Sequence, residues 1–258
     1  MSQSKDSTLR TLMVALAVCL VCSVIVSTAA VMLKPQQIIN KKLEKQRNIL
    51  GVVDLLPEDR GQESVNQAFK QVTPKVVDLE TGEYVTDVDP LTYDMRKAAK
   101  DPEQNVQIEN DIASIRTRPK YAVVYLVEEQ GKPSKIILPV NGYALWSTLY
   151  GFLALEGDAQ TVYGISFYEH AETPGLGGEI DNPKWKSLWK GKKVYGDNGN
   201  VRLEVVKGNV NADTPNAEHK VDGLAGATLT SNGVTNLIKY WMSEQGYGPY
   251  LAKIKGDA

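Results

Sequence analysis

Between Thr11 and Leu33 the chain runs for 23 residues, TLMVALAVCLVCSVIVSTAAVML, without a single charge. At 1.5 Å per residue a helix of that length covers about 34 Å, enough to cross a hydrocarbon core of roughly 30 Å. The run predicts one N-terminal transmembrane helix. A cleavable signal peptide ending near Ser27-Thr28-Ala29 is the competing reading, but the apolar stretch is longer than such signals use. The two cysteines of the chain, Cys19 and Cys22, both fall inside the run. Each follows a valine rather than the small residue that lipidation would want, so they read as membrane-buried packing residues. The remainder of the chain therefore builds neither a disulfide scaffold nor a cysteine zinc site.

Charge around the run gives an orientation. Lys5 and Arg10 precede it, in a tail spanning 1–10, whereas Lys34, Lys41, Lys42, Lys45 and Arg47 follow it. The positive-inside rule thus places the large domain in the cytoplasm. The basic segment 34–50 offers a second explanation for its own charge. Its apolar positions Ile38, Ile39, Leu43 and Leu50 share one helical side, as in an amphipathic helix lying on lipid headgroups.

Residues 48–258 carry 22 basic and 29 acidic side chains, a net of −7, within a chain of net charge −2. The basic excess needed against nucleic-acid phosphates is missing, so nucleic acid is excluded as a partner. With only His170 and His219 present, a multi-histidine metal centre is excluded and no metal site is expected. A hydrolase would have just two histidines to choose from as its base. Residues 51–118 read as an accessory region, with a short helix over 62–71 and a hairpin around 76–85. From Pro119 onward the signal sharpens. Tyr121–Glu129 and Ser134–Val140 are β-branched runs joined by Gln130-Gly131-Lys132-Pro133, as two antiparallel strands would be, Trp146–Leu155 is apolar nearly throughout, and Thr161–Glu169 is a further strand. Asn198-Gly199 predicts a hairpin in 192–208. Ser231–Gln245 places Val234, Leu237, Ile238, Trp241 and Met242 on one stripe of an amphipathic helix, capped by Thr230 or Ser231 and stopped by Gly246. The expected class is α+β: a twisted antiparallel sheet with flanking helices over 119–258, preceded by the transmembrane helix.

Two glycine-rich stretches could carry chemistry. In VDGLAGATLTSNG, Val221–Gly233, small residues precede a helix start whose backbone N–H groups and dipole favour an anion, with the hydroxyls of Thr228, Thr230 and Ser231 at hand. No Gly-Lys-Ser/Thr follows, so it is not a phosphate loop of the nucleotide-hydrolase kind. A glycine-rich turn with a hydroxyl cap explains the same residues. In HAETPGLGGEIDNPKW, His170–Trp185, a dinucleotide fingerprint fails because Ile180 stands where the third glycine belongs. The loop would let backbone approach a flat ligand, with Glu172 and Thr173 fixing its polar edge; a long surface turn is the plainer alternative. Neither histidine rates above an ordinary loop residue.

Taken together, HAETPGLGGE and DGLAGATLTS resemble the covalent FMN-binding domain family, that of the C subunit of the sodium-translocating NADH:quinone oxidoreductase and of the related G subunit of an electron-transport complex. The resemblance to the former extends along nearly the whole chain, through VVDLETGEY, LTYDMRKAAKD, AVVYLV, KIILPV, SNGV and GPYLAK. It implies an FMN joined through its phosphate to the hydroxyl of Thr228, the threonine ending a Ser/Thr-Gly-Ala-Thr motif, by a separate flavin transferase. Here Ala225 replaces the usual hydroxyl residue at the head of that motif. Gly226, Ala227, Leu229 and Thr230 would wrap the phosphate, and Glu172, Thr173, Gly175, Leu176 and Gly177 would approach the isoalloxazine. No residue is implied as an acid or base catalyst. A tethered flavin hands on electrons without diffusing away, so the resemblance implies an electron relay among the subunits of a sodium-translocating membrane complex, with NADH oxidised elsewhere. It also implies a single-pass inner-membrane protein with its large domain in the periplasm, against the charge count. A membrane-anchored module that holds a free anion at the Gly-Ala-Thr helix start is the alternative from another class.

Overall fold

The computed structural model describes residues 8–257. Along the chain these form α1 (Thr8–Val52), α2 (Gln62–Ala68), β1 (Val72–Asp78), β2 (Tyr84–Val85), α3 (Met95–Ala98), β3 (Asn105–Gln107), β4 (Thr117–Pro119), β5 (Tyr121–Glu129), β6 (Lys132–Tyr143), β7 (Thr148–Glu156), β8 (Val162–Glu169), α4 (Pro183–Ser187), β9 (Glu204–Val205), β10 (Lys220–Val221), α5 (Thr228–Trp241) and α6 (Gly248–Asp257). The chain divides into Met1–Glu44 and Lys45–Ala258.

In the first part the uncharged run lies within α1, which continues through Pro35 instead of giving way to a separate linker helix. The described part of the 1–10 tail, from Thr8, is helical too; Lys5 lies outside the described residues. The apolar side chains of the run are exposed to their surroundings rather than packed against protein. Leaving so many large apolar groups in water would be costly, and a hydrocarbon environment removes that cost.

The second part is organised by a six-stranded antiparallel sheet in the order β2-β1-β5-β6-β7-β8. β5 occupies the predicted residues, and β6 and β7 form the long pair next to it. The 62–71 helix appears as α2 followed by a short 3-10 turn, and the 76–85 hairpin as β1 and β2. Since β1 pairs with β5 along seven positions, the 51–118 stretch contributes directly to the main sheet.

Alternate residues of each strand face opposite sides of the sheet. On one side Val124, Leu126, Ile136, Leu138, Val140, Leu149 and Leu153 form a core with Val234, Leu237, Ile238 and Trp241 of α5. On the other, Val123, Tyr125, Ile137 and Phe152 are buried, as are Ile49, Leu50 and Val52 from the end of α1. That segment reaches the sheet at β8: a Cβ on Gly164 would lie 2.8 Å from the Val52 carbonyl oxygen. Covering both faces explains why β5 and β7 read as nearly continuous apolar runs rather than alternating ones.

Two expectations need correction. The Asn198-Gly199 turn exists, with Gly196 N–H donating to the Asn200 carbonyl at 3.0 Å, but it is closed by a single Tyr195–Val201 bridge. β9 pairs instead with β10, in parallel, because the chain leaves the turn to run beside the segment that enters α5. α5 ends at Trp241, with Met242 as its C-cap, before the Gly246 stop signal. The Trp241 carbonyl accepts from the Tyr247 N–H at 2.6 Å, so the chain turns back as soon as the core-facing stripe is complete.

α5 crosses the end of β6 at backbone distance. A Cβ on Gly142 would come within 2.6 Å of the Leu237 Cβ, and one on Gly233 within 2.7 Å of the Ala144 Cα. Gly142→Ala should therefore lower stability by about 1–3 kcal/mol through overpacking. Thermal unfolding of the detergent-solubilised chain would register this as a reduced melting temperature.

Candidate functional site

The first glycine-rich stretch leaves β8 at Glu169 and closes on itself. His170 Nε2 lies 2.8 Å from Asp181 Oδ2, while His170 Nδ1 accepts from the Glu172 N–H at 3.2 Å. Within this closure the Thr173 carbonyl accepts from Leu176 N–H (3.1 Å) and Gly178 N–H (2.9 Å), around Gly175 in a left-handed conformation, φ 76°. Asn182 caps α4, and Trp185 on that helix donates its Nε1–H to the Asp222 carbonyl at 2.8 Å. The end of the first stretch is thereby tied to the beginning of the second.

In the second stretch Ala227 N–H donates to the Leu224 carbonyl at 3.1 Å, over a turn in which Gly226 has φ 71°. α5 then begins at Thr228. Its N-cap is Ala227, which offers no side-chain acceptor, so neither Thr230 nor Ser231 is the cap. Both hydroxyls have partners in the interior: Thr230 Oγ1 donates to Glu172 Oε2 at 2.6 Å, and Ser231 Oγ accepts from the Leu224 N–H at 3.2 Å. The helical bonding pattern opens with Ser231 N–H to the Ala227 carbonyl. The N–H groups of Thr228, Leu229 and Thr230 stand before it, in the place of the donors that a helix N-terminus leaves for an external acceptor.

Glu172 joins the two stretches and brings in a third. Its Oε1 accepts from the N–H groups of Trp146 (2.9 Å) and Leu145 (3.3 Å), in the turn between β6 and β7, and its Oε2 takes the Thr230 hydroxyl. The residue is only 4% exposed. Both carboxylate oxygens thus accept from protein groups. Gly177 sits directly over this group: a Cβ there would lie 2.5 Å from Thr230 Oγ1 and 2.7 Å from Glu172 Oε2.

The remaining predicted residues divide by exposure. Thr173, Gly175, Leu176, Gly226, Thr228 and Leu229 are exposed, whereas Gly177, Ala227 and Thr230 are buried. The two loops abut, since a Cβ on Gly226 would be 3.1 Å from Leu176 Cδ2. Trp146 is a neighbour that lies in the β6–β7 turn, outside the strand its apolar run predicts. It is 63% exposed, while Trp185, Trp189 and Trp241 are buried. The signal was the Ser147-Thr148 pair, which interrupts the apolar run one residue after Trp146. The histidines hold loops together: His170 binds Asp181, and His219 Nδ1 lies 2.7 Å from the Lys193 carbonyl oxygen.

Residues 144–243, which hold all of these groups, match the family model of the FMN-binding domain. The C subunit of the Na(+)-translocating NADH-quinone reductase of Pseudomonas aeruginosa is 52% identical over 99% of each chain. The chain belongs to this C-subunit family. The homologous protein of Haemophilus ducreyi, which bears the same name, is 50% identical over 99% of this chain and 97% of its own. The crystal structure of Shewanella oneidensis NqrC superposes with a TM-score of 0.77 at 36% identity, covering 84% of this chain and 99% of that one. The crystal structure of the C subunit from Parabacteroides distasonis gives a TM-score of 0.66 at 27% identity, over 85% and 96% of the two chains.

FMN is the cofactor of this family domain, and the residues here fit it. The donors at the start of α5 suit a phosphate, the exposed Thr228 hydroxyl stands beside them, and Leu176, Leu229 and Trp146 offer apolar surface to a flat ring. Because Gly177 leaves no space for a side chain, Gly177→Ala should displace the Glu172–Thr230 pair. The expected cost is about 1–3 kcal/mol, measured by chemical denaturation, with less bound flavin per folded chain.

Proposed function

We propose that this chain holds its FMN as a phosphoester on Thr228 and relays electrons within a Na(+)-translocating NADH-quinone reductase. The observation that carries the reading is the position of Thr228: an exposed hydroxyl at the first residue of α5, preceded by Gly226 and Ala227 and adjacent to the helix-start donors. Thr230 and Ser231, the competing hydroxyls, are buried and hydrogen-bonded to Glu172 and to the Leu224 backbone. In this reading a flavin transferase delivers the group to Thr228. The N–H groups of Leu229 and Thr230 bind the phosphate, and the exposed side chains of Leu176, Leu229 and Trp146 orient the ring and shed water from it. FMN, once bound, supplies electron transfer in single or paired steps. The chain's own residues supply position and environment, and none needs to move a proton.

The same reading makes the protein a single-pass inner-membrane subunit that contacts lipid and the other members of the complex, with the large domain in the periplasm. Lys34, Lys41 and Lys42 then face headgroups rather than marking the cytoplasmic side. NADH is oxidised elsewhere, in keeping with a glycine loop that lacks the dinucleotide spacing.

Three measurements check these points. In chains made together with the flavin transferase, Thr228→Ala should abolish flavin fluorescence in a denaturing gel. Ser231→Ala should retain it while losing about 1–3 kcal/mol of stability, the cost of an unsatisfied buried donor. Persistence of the band in Thr228→Ala would move the acceptor elsewhere, and a colourless wild-type chain would favour a module holding a free anion. Protease added outside spheroplasts should digest the large domain, and protection until lysis would support the cytoplasmic placement. The flavinylated chain alone should show no multiple-turnover NADH oxidation.

A further inference from the structure

Glu172 is a carboxylate taken out of water and fully committed to three donors that come from distant parts of the chain. Each donor belongs to the site's framework. The Leu145 and Trp146 N–H groups hold the turn between β6 and β7. The Thr230 hydroxyl holds the first turn of α5, two residues after Thr228. Gly177 closes the arrangement from above, where a Cβ would lie 2.5 Å from Thr230 Oγ1 and 2.7 Å from Glu172 Oε2. Burying a carboxylate is expensive unless its lone pairs are satisfied, so the three contacts stand or fall together.

We propose that the Glu172–Thr230 pair is a latch that positions the acceptor. It sets the β6–β7 turn bearing Trp146 and the start of α5 at a fixed separation, so that Thr228 and the Trp146 ring are presented together. The side chains of Glu172 and Thr230 are positioning groups in this account and need not touch the flavin; Thr230 meets it only through its backbone N–H. Thr230 would influence the cofactor through its hydroxyl's hold on Glu172, even though its own side chain points inward. This rests on the FMN reading above for its consequence, but not for the existence of the latch.

The test separates the two. In the full chain made without the transferase, amide hydrogen exchange of the segment containing Leu145 and Trp146 reads the latch directly. Glu172→Ala, which takes the acceptor from the two N–H groups, and Thr230→Val, which takes a donor from the buried carboxylate, should lower protection there by about tenfold or more, with amides inside β5 and β7 unchanged. Thr230→Ser, which keeps the hydroxyl, and Glu172→Gln, which keeps an acceptor for the two N–H groups, should restore protection to within about threefold of wild type. In chains made with the transferase, the rate of flavin attachment should follow the same order. The proposal is overturned if the Leu145 and Trp146 amides exchange as in wild type in both damaging variants. It is equally overturned if β5 and β7 loosen to the same extent, or if Thr230→Val takes up flavin at the wild-type rate. Should Glu172→Ala fail to fold, the Thr230→Val and Thr230→Ser pair decides. If exchange follows the expected pattern while even the wild-type chain acquires no flavin, the latch stands and the FMN-attachment reading fails.

Discussion

The close approach between helix and sheet governs the geometry around the site. α5 meets the end of β6 where Gly142 and Gly233 leave no side chain between the backbones. Trp241 donates its indole N–H to the Asn141 carbonyl at 2.7 Å, so the far end of α5 is pinned to the same strand. Thr235 adds a third tie, its hydroxyl accepting from the Val205 N–H at 2.9 Å and thereby joining α5 to the short parallel pair. With its length fastened in this way, the helix start has little freedom left to relax. Thr228 is exposed there, while Thr230, two residues further on and on the opposite side of the helix, is buried.

The strands and the helical stripe were legible in the sequence because their signals are local. Tyr121–Glu129 is rich in valine and tyrosine, and Val234, Leu237, Ile238 and Trp241 recur at helical spacing. What local signals could not convey was long-range. A Thr or Ser at a helix start looks like a cap whether its oxygen bonds the helix or something far away, and Thr230 bonds a carboxylate 58 residues earlier. Asn198-Gly199 specified a turn correctly, but no local signal could say that β9 would pair with β10 instead of folding back. Trp146 was hidden for a related reason: a large apolar residue at the head of an apolar run looks like part of the strand.

Of the site itself, the two glycine-rich stretches, which the structure brings side by side, could be read directly. The internal order of the first stretch could not. Glu172 looked like a ligand-facing acid among glycines, whereas its oxygens are spent on the Leu145 and Trp146 backbone and on Thr230. A carboxylate beside small residues is ambiguous in sequence, since glycine admits a ligand and a close-packed neighbour equally well. Only the space over Gly177 decides between them, and it is filled by Glu172 and Thr230.

The separations along the chain carry a consequence for how the protein is made. The Glu172 contacts reach back 26 residues to Trp146 and forward 58 to Thr230. During synthesis the first of these partners is present before the carboxylate itself, but the last emerges 58 residues after it. Until then one oxygen of an acid destined for the interior has no donor, and the loop around it cannot settle. The network therefore cannot close until the start of α5 has been made, long after the loop that bears the carboxylate.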